Sequence, residues 1–101
     1  MNKYDIRFTG TADTDLFEIL QYIKVDLCNP IASNELYDTI FASINKLADF
    51  PYIGSIIIYK RRKYHKLTVK NYLVVYRVDK KTRTVIIDHI VYARRNLKAI
   101  L

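Results

Sequence analysis

Between residues 60 and 95 three apolar runs alternate with clusters of Lys and Arg, and the links between the runs leave room only for tight turns. The runs are Arg62–Val69, residues 71–79 and Thr84–Tyr92, joined through Lys70 and Asn71 and through residues 80–83. A parallel crossover needs roughly a dozen residues or more, so the three runs form an antiparallel meander. Within residues 71–79, alternation sets Tyr72, Val74, Tyr76 and Val78 on one face and Leu73, Val75, Arg77 and Asp79 on the other. Both faces are largely apolar, as in a central strand with another layer packed on at least one side.

The first half of the chain supplies that layer. Tyr4, Ile6 and Phe8 alternate with Asp5 and Arg7 as an opening strand whose place in the sheet stays open. Thr11 is the expected cap of a helix over residues 11–27, with Asp13, Asp15 and Glu18 placing negative charge where the helix dipole favours it. Ala12, Leu16, Ile19, Leu20, Ile23 and Leu27 recur along its inner face. Asn29 followed by Pro30 then caps and opens a second helix, because Pro suits a first helical position and blocks continuation of the helix before it. Its inner stripe is Leu36, Ile40, Ile44 and Leu47, and it ends near Asp49, before Pro51. Residues 56–59 either begin the next strand early or line a loop, and Leu97, Ile100 and Leu101 dock as a last helical turn. The expected architecture is therefore α+β: an N-terminal strand, an antiparallel two-helix hairpin, then a three-stranded antiparallel meander in one twisted sheet. At 101 residues this is a single domain over 1–101.

Charge separates along the same boundary. Residues 1–54 carry four Lys or Arg against eight Asp or Glu, a net of −4, whereas residues 55–101 carry thirteen against two, a net of +11. Solubility alone does not require one sign of charge to gather in one half, so a polyanionic partner such as RNA, DNA or an acidic protein segment is expected. The single Cys28 forms no internal disulfide, and the longest apolar run, residues 85–93, is interrupted by Asp88 and His89. These features, with no basic segment leading into an apolar one at the N-terminus, predict a cytoplasmic protein with no signal peptide and no membrane association. One Cys and two His argue against a structural zinc site.

The order of elements resembles the RelE/ParE superfamily of bacterial type II toxins. The resemblance is carried by Thr11-Ala12, Asp15-Leu16 and Tyr22-Ile23 in the first helix, and by Asn29-Pro30 and Leu36 in the second. It continues through Leu47-Ala48-Asp49-Phe50-Pro51 with Gly54, residues 71–78, and Ile90-Val91-Tyr92-Ala93-Arg94-Arg95-Asn96. It implies a toxin held inactive by a small antitoxin encoded beside it. RelE-like members cut mRNA in the ribosomal A site without metal or cofactor, whereas ParE-like members poison DNA gyrase and lack that chemistry. The long helices and the Phe-Pro…Gly ending look like ParE. The density of Lys, Arg, His and Tyr over the sheet resembles the nucleases, and on that charge the expected function is ribosome-dependent mRNA cleavage, with ribosome and mRNA as partners. Gyrase inhibition is the alternative, and an inactive nucleic-acid-binding or scaffold protein is a third.

For an RNase the resemblance implies Lys66, Arg77, Tyr92 and Arg94 as catalytic residues, with Lys60, Arg61, Arg62, Lys63, His65 and Arg95 contacting nucleic acid. Alternation places Arg62, Tyr64, Lys66 and Thr68 on one face, so Arg62 and Lys66 suit phosphate contacts. A solvated edge strand kept charged against aggregation explains them equally. Thr68 departs from the pattern, since active RelE-like members often have Arg there. Arg77 is costly among valines unless it reaches a rim or a partner, the structural alternative being an ion pair with Asp79 or Asp88. Tyr92 and Arg94 share one alternating face and suit base stacking and transition-state charge respectively. His65 and His89 trade protons most easily near neutral pH, but strict alternation sets His89 beside Val85, Ile87 and Val91 as a packed histidine.

Overall fold

The structure, a computed structural model, describes residues 3–101, so the first two residues of the expected domain lie outside it. Chain order is β1 (Asp5–Phe8), α1 (Gly10–Gln21), a π-helical turn (Tyr22–Asp26), α2 (Pro30–Asn45), a 3₁₀ turn (Lys46–Ala48), β2 (Ser55–Tyr59), β3 (Arg62–Val69), β4 (Tyr72–Asp79), β5 (Thr84–Tyr92) and a closing 3₁₀ turn (Leu97–Ala99). The α+β layout and the antiparallel meander match expectation. The sheet itself differs, because it has five strands in the order β1-β5-β4-β3-β2 and is mixed. β1 runs parallel to β5 at one edge, pairing Asp5 with Thr84 through Phe8 with Ile87. At the other edge Ser55–Tyr59 is a strand of its own, antiparallel to β3. Its hairpin closes through Lys60 and Arg61, at φ 50° and 66°. Two positive-φ residues give the turn twist that matches paired strands, and Lys-Arg conceals a geometry usually written Asn-Gly.

Helix caps explain where the hairpin begins and ends. Thr9, not Thr11, caps α1: its Oγ1 accepts from the Ala12 N–H at 3.1 Å and also donates to the Asp88 carbonyl at 3.2 Å. That second bond joins the helix start to the sheet, an advantage Thr11 lacks in its exposed position within the first turn. The π-helical turn adds backbone beyond Gln21 and shifts the helical phase. Leu27 consequently leaves the inner stripe and is 55% exposed, and Cys28 at φ 50° ends the helix. Asn29 caps α2 by accepting from the Ala32 N–H at 3.1 Å, with Pro30 first in the helix.

The hairpin lays Ala12, Leu16, Leu36, Ile40, Ile44 and Leu47 against Val69, Val74, Tyr76, Val85, Ile87 and Ile90. Ser33, buried where the helices meet, donates to the Leu20 carbonyl at 3.0 Å. Gly54 marks the closest approach beside this core. A Cβ there would stand 2.6 Å from the Tyr76 hydroxyl and 2.8 Å from the Lys66 carbonyl, while its N–H donates to that hydroxyl at 3.0 Å. Among the described residues no helix is long and apolar enough to cross a membrane.

A β-bulge alters the faces of β5. Tyr76 pairs with Ile87, but Val75 pairs with His89, so Asp88 is the extra residue. His89 and Val91 therefore share the face of Val75, while Val85 and Ile87 lie on the helix face. This corrects strict alternation. The face away from the helices is also less open than its charge suggests. Tyr64, Leu73, Val75 and Val91 are buried there, and Leu97, Ile100 and Leu101 of the tail are half-buried. Leu101 shares a recess with Arg62 and Tyr64, so the tail supplies cover on this side.

Candidate functional site

The bulge fixes the chemistry of Arg77. Asp88, the inserted residue, accepts from Arg77 Nε at 2.6 Å and Nη2 at 2.9 Å in a bidentate pair. The Asp88 side chain is only 12% exposed and that of Arg77 37%. Hydrogen bonding to Asp88 outweighs the desolvation of Arg77 and holds its guanidinium firmly charged. Across the same face, Lys66 sits half-buried in β3 opposite Val75. Arg62 shares this face, so the structure brings Arg62, Lys66 and Arg77 onto one side of the sheet.

Tyr92 lies on the other side. It pairs with Tyr72, in register with Val74 and Ile90 of the helix-backed face, and the two rings meet edge to face at 5.9 Å. A recess beside α1 is lined by Asp15, Ile19, Tyr22, Tyr72, Tyr92 and Arg95. Burial, with Tyr92 alongside, pushes the Tyr72 hydroxyl above the ordinary tyrosine range. Arg94 is exposed beyond the end of β5, in a turn where the Arg95 N–H donates to the Tyr92 carbonyl at 2.9 Å. The four residues expected to be catalytic thus divide: Lys66 and Arg77 on one face, Tyr92 on the other, and Arg94 past the strand.

The histidines are both engaged. His65 is 3% exposed, stacks on Tyr76 at 5.2 Å and meets the Tyr52 ring at 5.8 Å, with Nδ1 3.4 Å from the Gly54 carbonyl. It belongs to the seam between the 50–54 loop and the sheet. His89 Nδ1 lies 3.7 Å from Asp15, whose Oδ2 also accepts from the Ile90 N–H at 3.1 Å. From sequence Asp15 reads as a dipole partner and, with Leu16, as part of the family resemblance, not as a contact of the sheet. Its position one turn inside α1, facing an edge of β5 that β1 leaves unpaired after Ile87, is a relation between distant segments that spacing alone does not carry. Lys60, Arg61, Arg62 and Lys63 are exposed around the β2–β3 turn, with Lys60 Nζ 5.3 Å from the centre of the Tyr59 ring. Among the described residues no group of three His, Cys, Asp or Glu is placed to hold a metal ion.

Comparison with known proteins supplies the family context. The family described as the ParE toxin of the type II toxin–antitoxin system parDE matches residues 6–97. Among solved structures, a chromosomal ParDE system from P. aeruginosa aligns with TM-score 0.75 and 18% identity, covering 93% of this chain and all of that one. The RelBE2 toxin–antitoxin complex from Mycobacterium tuberculosis aligns with TM-score 0.63 and 22% identity, covering 89% and 98% respectively. An archaeal RelE–RelB complex from Pyrococcus horikoshii OT3 gives TM-score 0.63 and 16% identity, covering 95% and 100%. At such identities the likeness is one of fold. No curated protein matches the sequence.

Proposed function

The chain belongs to the ParE family of type II toxin–antitoxin toxins, and from that premise we propose that it arrests growth by inhibiting DNA gyrase, without cutting RNA. The observation that carries this reading is the Arg77–Asp88 pair. An RNase of the RelE-like kind must stabilise negative charge on a phosphate as the 2′-hydroxyl attacks. Here the cation best placed on the sheet already gives two hydrogen bonds to a carboxylate fixed by a bulge. Displacing Asp88 would leave a largely buried charge uncompensated.

Proton transfer meets a similar obstacle. A general base must come within hydrogen-bond reach of the proton it takes. His65 is buried within its ring stack, and Tyr92 is separated by the sheet from Lys66 and Arg77. The RNase expected from charge is the second reading, favoured by Arg62, Lys66 and Arg77 sharing one face. On either reading the chain is neutralised by a small antitoxin, as the toxin–antitoxin complexes among its structural relatives support.

Induced expression separates the two mechanisms in cells. Gyrase inhibition is expected to give chromosome breaks and blocked replication while labelled amino acids continue to enter protein during the first minutes. Immediate loss of translation with intact chromosomes overturns the proposal.

A further inference from the structure

The strongest concentration of charge lies at one end of the sheet, where two hairpin turns meet. β2 and β4 run in the same direction, since each is antiparallel to β3, so their C-terminal ends coincide. The β2–β3 turn contributes Lys60 and Arg61, flanked by Arg62 and Lys63. The β4–β5 turn contributes Lys80 and Lys81. Two strand spacings separate the turns, about 10 Å. Arg62, Lys63, Lys80 and Lys81 line one shallow recess with Arg77 and Asp79, so cations that are distant in sequence face a common space.

We propose that this end of the sheet is a docking surface for the phosphate backbone of duplex DNA. The acids near it keep their negative charge but are outnumbered by the six exposed Lys and Arg of the two turns, Lys60, Arg61, Arg62, Lys63, Lys80 and Lys81. Asp88 is occupied by Arg77, and Asp79 turns its Oδ1 onto its own loop, accepting from the N–H groups of Thr82 and Lys81. Those bonds hold the Asp79 carboxyl below its ordinary range. Asp5, exposed at the start of β1 opposite Thr84, and Asp49, exposed beside Tyr4 and within 3.9 Å of Lys3 Nζ, also lie toward this end. The cations are held on backbone of fixed shape, because Lys60 and Arg61 both occupy the left-handed region. Preorganised charge of this kind binds phosphates without reading bases.

Two observations select a duplex over other polyanions. Two rings near this end already carry a cation on one face, Tyr59 beneath Lys60 and Tyr4 beneath Arg83, while Tyr52 is edge-on to His65 and 52% exposed. Unpaired bases need free aromatic faces to stack on, so this end offers single-stranded RNA fewer stacking faces than phosphate-binding cations. An acidic protein segment needs apolar anchors within its interface, and here Val78 and Ile86 are the apolar residues among the eight that line the recess, four of which are exposed cations. The inference rests on the gyrase reading for its biological setting, since gyrase works on duplex DNA, but it is tested with no gyrase present.

The experiment measures binding of the full chain to a fluorescent 30-base-pair duplex across a series of salt concentrations. Each phosphate contact steepens the slope of log K against log salt by about 0.9. A turn variant carrying Lys60→Gln, Arg61→Gln, Lys80→Gln and Lys81→Gln is expected to flatten that slope by about 3 to 4 and to weaken binding at least ~30-fold at low salt. A charge-matched control carrying Lys24→Gln, Lys46→Gln, Lys70→Gln and Lys98→Gln is expected to lose less than ~3-fold, since none of these exposed lysines belongs to either turn or lines the recess between them. Thermal unfolding of both variants checks that they fold. Equal losses in the two variants overturn the proposal by reducing it to net charge, as does an unchanged slope in the turn variant. Tighter binding to single-stranded RNA than to the duplex overturns the choice of partner. Loss of antitoxin capture with duplex binding intact does the same by assigning the surface to protein.

Discussion

The two faces of this sheet are made from the same strands yet are closed in different ways. Behind it, two helices cover Val74, Tyr76, Val85, Ile87 and Ile90, all less than 2% exposed. In front, Val75 is equally inaccessible, but cover comes from large side chains and the short tail, and a charged pair, Arg77 with Asp88, sits beside it. The back face is held mainly by apolar area, with a few polar bonds such as that of the Tyr76 hydroxyl with the Gly54 N–H. The front combines apolar burial with polar geometry, which tolerates exposed cations at its rim. Stability should therefore reside mainly behind the sheet, and features that tune function mainly at its front and ends.

That division can be broken most directly by cutting into each side. Ile40→Ala removes a fully buried side chain between α2 and the sheet, and a loss of about 2–5 kcal/mol is expected from chemical denaturation. On the front, Asp88→Ala leaves Arg77 without its carboxylate. The guanidinium is more than a third exposed, and water compensates part of the loss, so about 1–2 kcal/mol is expected in the same assay. A cost for Asp88→Ala equal to that of Ile40→Ala would erase the distinction between the faces.

Tyr76→Phe sharpens the comparison within the back face. It keeps the ring but removes the acceptor of the Gly54 N–H, and a loss of about 1 kcal/mol is expected at neutral pH. Burial raises the Tyr76 hydroxyl above its ordinary value of 10.0, with the Gly54 bond opposing it. A group raised in the folded state contributes its stability below the unfolded value and loses it as pH rises through the folded one. The unaltered protein should thus lose stability as pH climbs beyond about 10, and part of that slope should vanish in Tyr76→Phe. An identical alkaline slope in both proteins would remove Tyr76 as its source.

Capping gives the smallest effects. Thr9→Ala should cost about 1 kcal/mol through loss of the cap and of the bond to the Asp88 carbonyl, whereas Thr11→Ala should stay within about 0.5 kcal/mol. Thermal midpoints of the pair decide between them. The contrast also marks where sequence falls short. Thr9 and Thr11 are both acceptable caps by residue type, and only the contact with Asp88, 79 residues away, selects the first.

Local chemistry made much of the fold legible. Asn29-Pro30 announced α2, and alternation set β3 and β5 to their observed limits while starting β4 one residue early, at Asn71 in place of Tyr72. The bulge was readable in principle. Val85 and Ile87 are followed by Ile90 and Tyr92, so the apolar phase slips by one across Asp88 and His89. Ignoring that slip set His89 on the wrong face and kept Tyr92 in company with Arg77. β2 was obscured because Ile56, Ile57 and Ile58 are consecutive apolar residues with no alternation, at an edge where two of them stay exposed. Grouping of the candidate site could not be read from residue types, since cations at a hairpin end and cations across a sheet face have the same composition.

The proposal is that this ParE-family chain inhibits gyrase and does not cut RNA. It is tested most directly by giving the purified chain both targets in parallel: gyrase with supercoiled plasmid and ATP, and ribosomes programmed with a defined message. The account predicts accumulation of cleaved plasmid while every message remains full length. Messages cut within the A-site codon, with plasmid supercoiling proceeding undisturbed, would contradict it.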